Sequence, residues 1–279
     1  MTEQGWFVDL DPGDEAAAAE AINDGAADSP RNWPALAVES GSAADAAEYY
    51  ESLHGATIEA TRSAVRERER ADDQQLIHAV RAMDDLAKTA NELAERVAEW
   101  AGSLFEDARP GIEGAREIAE RDPQDPSEER VVSLARQAAA LAAERDQIES
   151  YVEQQAPAVA PNLSSLAGPV LAARLIALAG GLESLAKKPS GTLQVLGAED
   201  ALFAHLKGRA PSPKHGVIFT HEYVRGTRKA DRGSAARALA GKLTIAARVD
   251  YYSGDRKPEL KEDLEARMAR IRSRAEGDA

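Results

Sequence analysis

The sequence contains no cysteine and few aromatic residues, and both shortages limit what the chain can do. Its 279 residues include no Cys, 3 Trp, 6 Tyr and 4 Phe. Without thiols the chain can form neither disulfide bonds nor thiolate metal sites. Alanine supplies much of the apolar content, and alanine-rich faces favour closely packed helices over a broad sheet. We therefore expect a mainly α-helical protein.

Long apolar runs are also missing. No stretch reaches the about 18 uncharged apolar residues of a membrane span, and Met1–Glu15 lacks a basic segment followed by an apolar core. We expect no membrane segment and no signal peptide, and we predict a cytoplasmic protein. The net charge of −14, with acidic residues spread over the predicted helices, is also typical of proteins from salt-loving archaea. An ordinary acidic protein is the alternative.

The positive charge is concentrated in the last part of the chain. Residues 157–279 hold 20 Lys+Arg against 13 Asp+Glu, a net of +7, whereas the remainder holds 14 against 35, a net of −21. Within this basic part, Gly197–Asp250 interleaves its cations with helix-forming alanine and leucine. A folded basic surface in an acidic protein predicts binding to a polyanion, with nucleic acid as the first candidate.

Apolar residues in the middle of the chain recur at alternating steps of four and three, which is a heptad pattern. The first predicted helix carries it at Leu76, Val80, Met83, Ala87, Ala90, Ala94, Val97, Ala101 and Leu104. Leu86, Leu93 and Trp100 widen this seam and are our candidates for a dimer or hairpin contact. A second helix over 127–155 repeats the steps at Leu134, Ala138, Leu141, Arg145, Ile148 and Val152. Prolines and glycines between them predict an antiparallel coiled-coil hairpin, with packing inside one globular bundle as the alternative.

The first 55 residues predict a small, reduced α/β domain. Gly5–Leu10 resembles a short strand, and Asp14 is placed to cap a helix that runs to Asn23. We accordingly predict three domains: residues 1–55, a coiled-coil dimerisation domain over 56–156, and an all-helical basic domain over 157–279 that ends in a charged helix.

No motif in the sequence supports catalysis. There is neither a GxxxxGK[ST] loop nor a GxGxxG that follows a strand. His205, His215 and His221 lie close together in sequence, but they lack cysteine partners and the HExxH spacing of a zinc site. We predict no catalytic, cofactor-binding or metal-ligating residue.

Basic residues flank two loops and continue onto the following helix, where they could contact phosphates. Ser234 is predicted to cap this helix. A solvated cationic face is the alternative interpretation, and Arg248 in particular could instead pair with a carboxylate such as Asp250. The predicted RNA-binding residues are Lys214, His215, Arg228, Lys229, Arg232, Arg237 and Arg248.

Several motifs in the basic part resemble the Nop domain, and they occur in the order found in that family. They are Ala160-Pro161-Asn162-Leu163, Gly168-Pro169, Ala173-Arg174-Leu175-Ile176, Ala179-Gly180-Gly181-Leu182, Leu196-Gly197-Ala198-Glu199, Ala201-Leu202-Phe203, Pro213-Lys214-His215-Gly216 and Ala246-Ala247-Arg248-Val249-Asp250. Upstream, His78–Leu86 is similar to the start of the coiled coil of the family. The resemblance covers residues 57–258.

This resemblance implies a scaffold of box C/D guide ribonucleoproteins rather than an enzyme. In such a protein the N-terminal domain holds fibrillarin, which uses S-adenosylmethionine, and the coiled coil self-associates. The Nop domain clasps a guide-RNA kink-turn already bound by a ribosomal-type kink-turn protein, which Gly197, Ala198 and Glu199 are expected to face. The implied outcome is 2′-O-ribose methylation of rRNA or tRNA, with no cofactor in this chain.

Two features depart from the family pattern. Asp200 follows the Gly-Ala-Glu triplet where the family usually has lysine, and the region before the coiled coil is shorter than is typical. Two other functions remain open from the sequence: a structural coiled-coil dimerisation protein whose basic end is incidental, and a methyltransferase or nuclease with an unfamiliar site.

Overall fold

The computed structural model describes residues 5–10, 14–25 and 29–277, with side chains up to residue 273. Within these residues the regular structure consists of α-helices and one short 3-10 helix, without strands. The chain divides into two compact units, Met1–Ala71 and Asp72–Ala279. The predicted mainly α fold is confirmed.

The first unit contains helices α1 (Glu15–Asp24), α2 (Trp33–Glu39) and α3 (Ala46–Arg70). Helix α1 begins as predicted, because the Asp14 carboxylate accepts a hydrogen bond from the Ala17 N–H at 3.0 Å. The predicted strand over Gly5–Leu10 is wrong, since the chain forms a turn there. Phe7 packs edge-on against Tyr49 of α3, with ring centroids 5.8 Å apart, so packing on a helix replaces strand pairing.

The second unit begins with a helical hairpin made of α4 (Asp72–Ala101), α5 (Gly111–Ala119) and α6 (Pro126–Val159). Helices α4 and α6 are antiparallel, because the start of α4 shares one core cluster with the end of α6 and its end shares another with the start of α6. Helix α5 was not predicted. It lies in the proline- and glycine-rich connection and packs against both long helices through buried residues such as Ile118.

The seam predicted on α4 is confirmed at seven of its nine positions, whereas Ala87 and Leu104 are half-buried. The seam predicted on α6 is confirmed at Ala138 and Val152, Arg145 is half-buried, and the other three positions are wrong by one residue. Leu134, Leu141 and Ile148 lie on the flank, and the buried positions include Val131, Ala135, Ala138, Ala142, Val152 and Ala156. Alanine at the centre of the contact lets two helices approach closely, and Leu134 then covers the cluster from one side.

The rest of the second unit is a cluster of shorter helices around one long central helix, α13. The elements are α7 (Pro161–Ala167), α8 (Pro169–Ala179), α9 (Leu182–Lys187), α10 (Ser190–Val195), α11 (Glu199–Leu206), the 3-10 helix (Val217–Thr220), α12 (Glu222–Arg225), α13 (Arg232–Tyr252) and α14 (Glu259–Gly277). Leu163, Leu175 and Leu239 are fully buried in its core. The same core includes Leu76 and Val152 from the hairpin, so it crosses the predicted boundary between residues 156 and 157.

Two aspartates join helices of this unit through backbone contacts. The N–H of buried Leu182 at the start of α9 donates to Asp73 of α4 at 2.9 Å. Buried Asp250 accepts hydrogen bonds from the backbone N–H groups of Asn162 and Leu163, at 3.0 and 2.8 Å, and from the Asn162 side chain at 2.6 Å. Asp250 therefore fixes the start of α7 onto α13, and the predicted alternative in which it pairs with Arg248 is wrong.

In the part of the chain that the structure describes, no single helix is long and apolar enough to cross a membrane. The consecutive helices α7 and α8 meet the length and composition requirement only together, and they are bent by 117° at Gly168. The cytoplasmic location stays a prediction.

Candidate nucleic-acid interface

A short loop carrying Lys214 and His215 docks against the end of α10. The Gly216 N–H donates to the Gln194 carbonyl at 2.9 Å, and the Gln194 side chain donates to the Lys214 carbonyl at 2.7 Å. A Cβ atom at Gly216 would lie 2.0 Å from the Leu196 carbonyl oxygen, so only glycine allows this approach. The docking sets the Lys214-His215 loop beside the Gly197-Ala198-Glu199 triplet.

The triplet forms the tight entry to α11. Gly197 has a φ of +81°, a conformation that favours glycine, and its N–H donates to the Glu199 carboxylate at 2.8 Å. Glu199 therefore holds the turn by a local hydrogen bond while its side chain stays exposed. The neighbouring Asp200 is exposed as well, so this surface carries a carboxylate where the resemblance predicts lysine.

Two of the predicted RNA-binding residues contact the Phe219 ring, and a third lies beside them. His215 stacks on Phe219 with ring centroids 4.6 Å apart and an interplanar angle of 21°. The Arg232 guanidinium lies 5.3 Å from the centre of the same ring. Lys214 runs along the backbone at Gly233, where a Cβ atom would lie 3.7 Å from the Lys214 Cδ. We call Lys214, His215, Phe219 and Arg232 the Phe219 cluster.

Arg232 is held in place by the loop before α13. Its Nε donates to the Thr227 carbonyl at 3.1 Å, and one terminal nitrogen donates to the Arg225 carbonyl at 3.3 Å. These contacts leave guanidinium N–H groups for a further acceptor, because arginine has five donors. A pre-positioned guanidinium loses little side-chain freedom when it binds a phosphate.

The environment of His215 favours the neutral imidazole. Partial burial lowers the pKa of His215, and the positive charges of Arg232 and Lys214 lower it further. The neutral stacked ring can hydrogen-bond to a base or stack on it. The negative charge of an approaching phosphate would counteract the effect of the two cations on the pKa of His215 and favour its protonated form.

Arg228 and Lys229 lie in the loop that precedes α13. Arg228 forms an ion pair with Asp231 at 2.9 Å and remains about half exposed, and Lys229 is exposed. The residue that caps α13 is Asp231 by position, although its side chain makes no capping bond. The predicted Ser234 cap is therefore wrong, because the helix starts two residues before that serine.

The remaining two predicted contacts lie away from the Phe219 cluster. Arg248 is about 24 Å from Arg232 along α13, and its Nε donates to the carbonyl of Ala186 at 3.0 Å, near the end of α9. Arg237 lies about 1.4 turns after Arg232 and lines a groove beside α14. The structure thus brings Lys214, His215, Arg228, Lys229 and Arg232 together, and it separates Arg237 and Arg248 from them.

The other two histidines of the predicted trio have structural contacts. His221 is half-buried between the Leu166 carbonyl, 3.0 Å from Nε2, and the Tyr223 N–H, 3.1 Å from Nδ1. This pair of partners requires the neutral tautomer with a proton on Nε2. His205 Nδ1 lies 3.0 Å from the Ala210 carbonyl. Among the residues described, no group of His, Asp and Glu is arranged to hold a metal ion.

Helix α11 presents an apolar surface that the sequence analysis missed. Phe203 is 57% exposed and Leu206 is 71% exposed, and the helix has no buried residue. Large apolar side chains exposed together mark a surface for a protein partner. The signal in the sequence was the apolar run Ala201-Leu202-Phe203, which follows directly after the glycine turn.

The predicted hairpin contacts have different exposures. Leu93 packs against the cluster formed by α4, α5 and α6, Leu86 is half-buried, and Trp100 is 41% exposed near the end of α4. Trp100 is consequently available to another chain, and self-association stays a prediction.

Comparison with known proteins gives one family for most of the second unit. The family model described as "Nop: snoRNA binding domain, fibrillarin" matches residues 72–270. A NOP5 family protein of Methanocaldococcus jannaschii is 35% identical over 262 residues, which cover 81% of this chain and 63% of that protein. Nucleolar protein 58 of Eremothecium gossypii is 35% identical over 239 residues, which cover 72% of this chain and 46% of that protein. The chain thus spans less than two thirds of the length of these relatives.

A solved structure is similar over nearly the whole chain. The crystal structure of a fibrillarin/Nop5p complex contains a chain that matches with a TM-score of 0.54 and 26% sequence identity. The match covers 96% of this chain and 98% of that one.

Proposed function

Because this chain belongs to the Nop family, we propose that it is the scaffold of a box C/D guide ribonucleoprotein. It would bind the kink-turn of a guide RNA together with a kink-turn protein and recruit fibrillarin for 2′-O-ribose methylation of rRNA or tRNA. The similarity to a snoRNA binding domain and to a chain from a fibrillarin complex supports both parts of this proposal.

The Phe219 cluster is the observation that supports the RNA-binding part of this proposal. It combines two cations with a stacked pair of rings, which are the groups that recognise phosphates and unpaired bases. A cationic surface without rings would attract any polyanion. The fixed Arg232 and the His215 ring instead favour a folded RNA that offers a phosphate and an exposed base at a set spacing.

The partner protein would bind the neighbouring surface. The loop contacts around Gly216 keep the Gly197 turn next to Lys214, and α11 continues from that turn with Phe203 and Leu206 exposed. One composite surface therefore offers cations for RNA and an apolar face for protein. Asp200 adds no cation to it, so we assign the affinity for RNA to the Phe219 cluster and the adjacent Arg228 and Lys229.

Methyl transfer would be carried out by the partner, which would bind S-adenosylmethionine. This chain would position the partner on the RNA and would not catalyse the reaction. We assign fibrillarin binding to residues within the first unit, Met1–Ala71, and self-association to the α4–α6 hairpin with Trp100. We place the assembly in the cytoplasm.

Reconstitution tests this proposal. Guide RNA, kink-turn protein, fibrillarin, labelled S-adenosylmethionine and a matching target RNA are combined with or without this chain, and methylation of the guided nucleotide is measured. We expect methylation to require the chain and to fall with Arg232→Ala, whereas the exposed control Arg256→Ala retains it. Equal methylation without the chain would refute the scaffold role.

The same reagents distinguish the two alternatives. A structural dimerisation protein would bind kink-turn RNA and a mutated kink-turn equally well when the kink-turn protein is present. An enzyme with an unfamiliar site would modify or cut RNA when fibrillarin is omitted.

A further inference from the structure

A second cationic site lies between α13 and α14. A groove of about 210 Å³ is lined by Ser234, Arg237 and Ala238 from α13 and by Arg267, Arg270 and Ile271 from α14. It therefore has three guanidinium groups and a hydroxyl on its walls and no carboxylate. A shallower depression continues along the two helices and shares the three arginines.

The three arginines have no ion-pair partner among the described residues. Arg267 and Arg270 are one turn apart on the same face of α14, and both are exposed. Asp263, which lines the shallower depression, pairs with Lys242 at 2.7 Å. The protein thus directs three like charges into one groove and uses its local carboxylate elsewhere.

The shape and chemistry of the groove limit its ligand. Its volume is below the roughly 300–1,000 Å³ of pockets that enclose small molecules, so it suits an anionic group more than a whole nucleoside. Guanidinium groups bind phosphate oxygens in pairs, and a serine hydroxyl can donate one more hydrogen bond.

The position of the groove selects RNA as the source of that phosphate. Arg237 follows Arg232 by five residues on α13, which is about 7.5 Å along the axis and about 140° around it. The groove and the Phe219 cluster therefore lie on different faces of the same end of one helix. A chain of phosphates that passes the Phe219 cluster can reach the groove by following the surface around α13.

We propose that Arg237, Arg267 and Arg270 form a second RNA-phosphate site, which holds a segment of the guide RNA beyond the nucleotides bound at the Phe219 cluster. This inference rests on the proposed function, since it requires the RNA to bind first. It assigns α14 to RNA binding, a role that the sequence analysis did not give to any residue after Arg248.

Phosphate ethylation interference tests the proposal directly. Guide RNA that is ethylated at random phosphates is bound by the complex of the full chain and the kink-turn protein, and the phosphates whose modification blocks binding are mapped. The test variant is R267Q/R270Q, and the matched control is R256Q/K261Q, which removes two exposed charges outside the groove. Because none of these four side chains is buried, thermal unfolding should show that both variants remain folded.

We expect R267Q/R270Q to lose sensitivity at one or two phosphates while the kink-turn phosphates stay sensitive. Its affinity for guide RNA at 0.2 M salt should fall roughly tenfold more than that of the control, and the slope of log affinity against log salt should decrease in magnitude by about 1–2. An unchanged interference map and equal affinity of the two variants would overturn the proposal.

Other outcomes are also decisive. If the unmodified chain does not bind kink-turn RNA at all, the proposed function itself fails. If inorganic phosphate stabilises the chain and not R267Q/R270Q, but RNA binding is the same for both, the groove binds small anions only. If R267Q/R270Q changes the oligomeric state and leaves the interference map intact, the groove binds the acidic surface of another copy. Either of these last two results would overturn the RNA-phosphate assignment.

Discussion

The two ends of helix α13 carry similar residues and use them differently. At the start of the helix, Arg232 faces the Phe219 ring and Arg237 lines an open groove. At the other end, Arg248 donates to the Ala186 carbonyl, and Asp250 accepts three hydrogen bonds from the start of α7. The start of α13 thus presents basic side chains to a ligand, whereas its end stabilises the packing of the domain.

The neighbours of each end explain this difference. Arg248 lies beside the last carbonyls of α9, which have no partner within that short helix, so a guanidinium nearby satisfies them. Arg237 faces two more arginines instead. Whether a basic residue on α13 is available for a ligand therefore depends on its neighbours in the tertiary structure.

The largest effect is expected from replacing Asp250, which holds the start of α7 against the end of α13. Asp250→Ala would leave the backbone N–H groups of Asn162 and Leu163 without their acceptor. It would also remove one of the two hydrogen bonds of the Asn162 side-chain amide, which keeps the Asp255 carbonyl. Each unsatisfied buried donor costs about 1–3 kcal/mol, so we expect the free energy of unfolding to fall by about 3 kcal/mol or more in urea denaturation. RNA affinity per folded molecule should not change.

Asp231→Ala is the control for that experiment. Asp231 pairs with the half-exposed Arg228 at the open end, and such pairs contribute about 0–1 kcal/mol. If the two substitutions destabilise the protein equally, the contrast between an anchored end and an open end is wrong.

A second prediction compares Arg232 with Arg248 by two measurements, the affinity for RNA and the free energy of unfolding. We expect Arg232→Ala to weaken binding to kink-turn RNA by about 1–3 kcal/mol, since it removes a phosphate or base contact and the ring contact that orients it. We expect Arg248→Ala to leave that affinity unchanged and to lower the free energy of unfolding by about 1–2 kcal/mol, because the carbonyl at the end of α9 loses its donor.

Filter binding at fixed salt and urea denaturation would measure both variants. Arg232→Ala also removes two hydrogen bonds to the loop, so its affinity must be compared under conditions where the variant is fully folded. A loss of RNA affinity in Arg248→Ala would place RNA contacts along the whole helix and remove the distinction between its ends.

The sequence predicted the positions of the long helices better than the residues through which they pack against one another. The seam of α4 was predictable because large apolar residues and alanines share one strict spacing. On α6 the leucines also follow a heptad spacing, and nothing in the sequence indicates that Ala135 and Ala142 face α4 instead. Helix α5 was hidden because its proline and glycines also fit a simple turn.

The candidate site was predictable to a similar extent. Charge and loop position identified Lys214, His215 and Arg232, but the contact of His215 and Arg232 with Phe219 depends on the docking of Gly216 against α10. Arg267 and Arg270 were missed because exposed basic residues on a highly charged helix usually belong to its solvated face. Only the packing of α14 beside Arg237 gives them a shared groove.

The smallest expected effect concerns the pH dependence of stability. It compares His215, near the start of α13, with His221, which is half-buried. Burial lowers the pKa of His221 below its ordinary value of 6.5, although the carbonyl of Leu166 and the nearby Glu222 oppose this shift. The unfolded chain then binds more protons than the folded chain just below pH 6.5. The stabilisation from neutral His221 is thus complete above pH 6.5 and decreases as the pH falls towards the lowered pKa.

We expect urea denaturation at pH 7.5, 6.5 and 5.5 to show this loss, and His221→Gln to reduce it, because glutamine does not titrate. His215 also has a lowered pKa and contributes with the same sign, so His215→Gln is the matched comparison. Bound RNA should suppress only the contribution of His215, since a phosphate beside Lys214 and Arg232 would favour its protonated form. If RNA changes the contribution of His221 to the same degree, then the RNA contact extends beyond the Phe219 cluster to the Leu166 side of the fold.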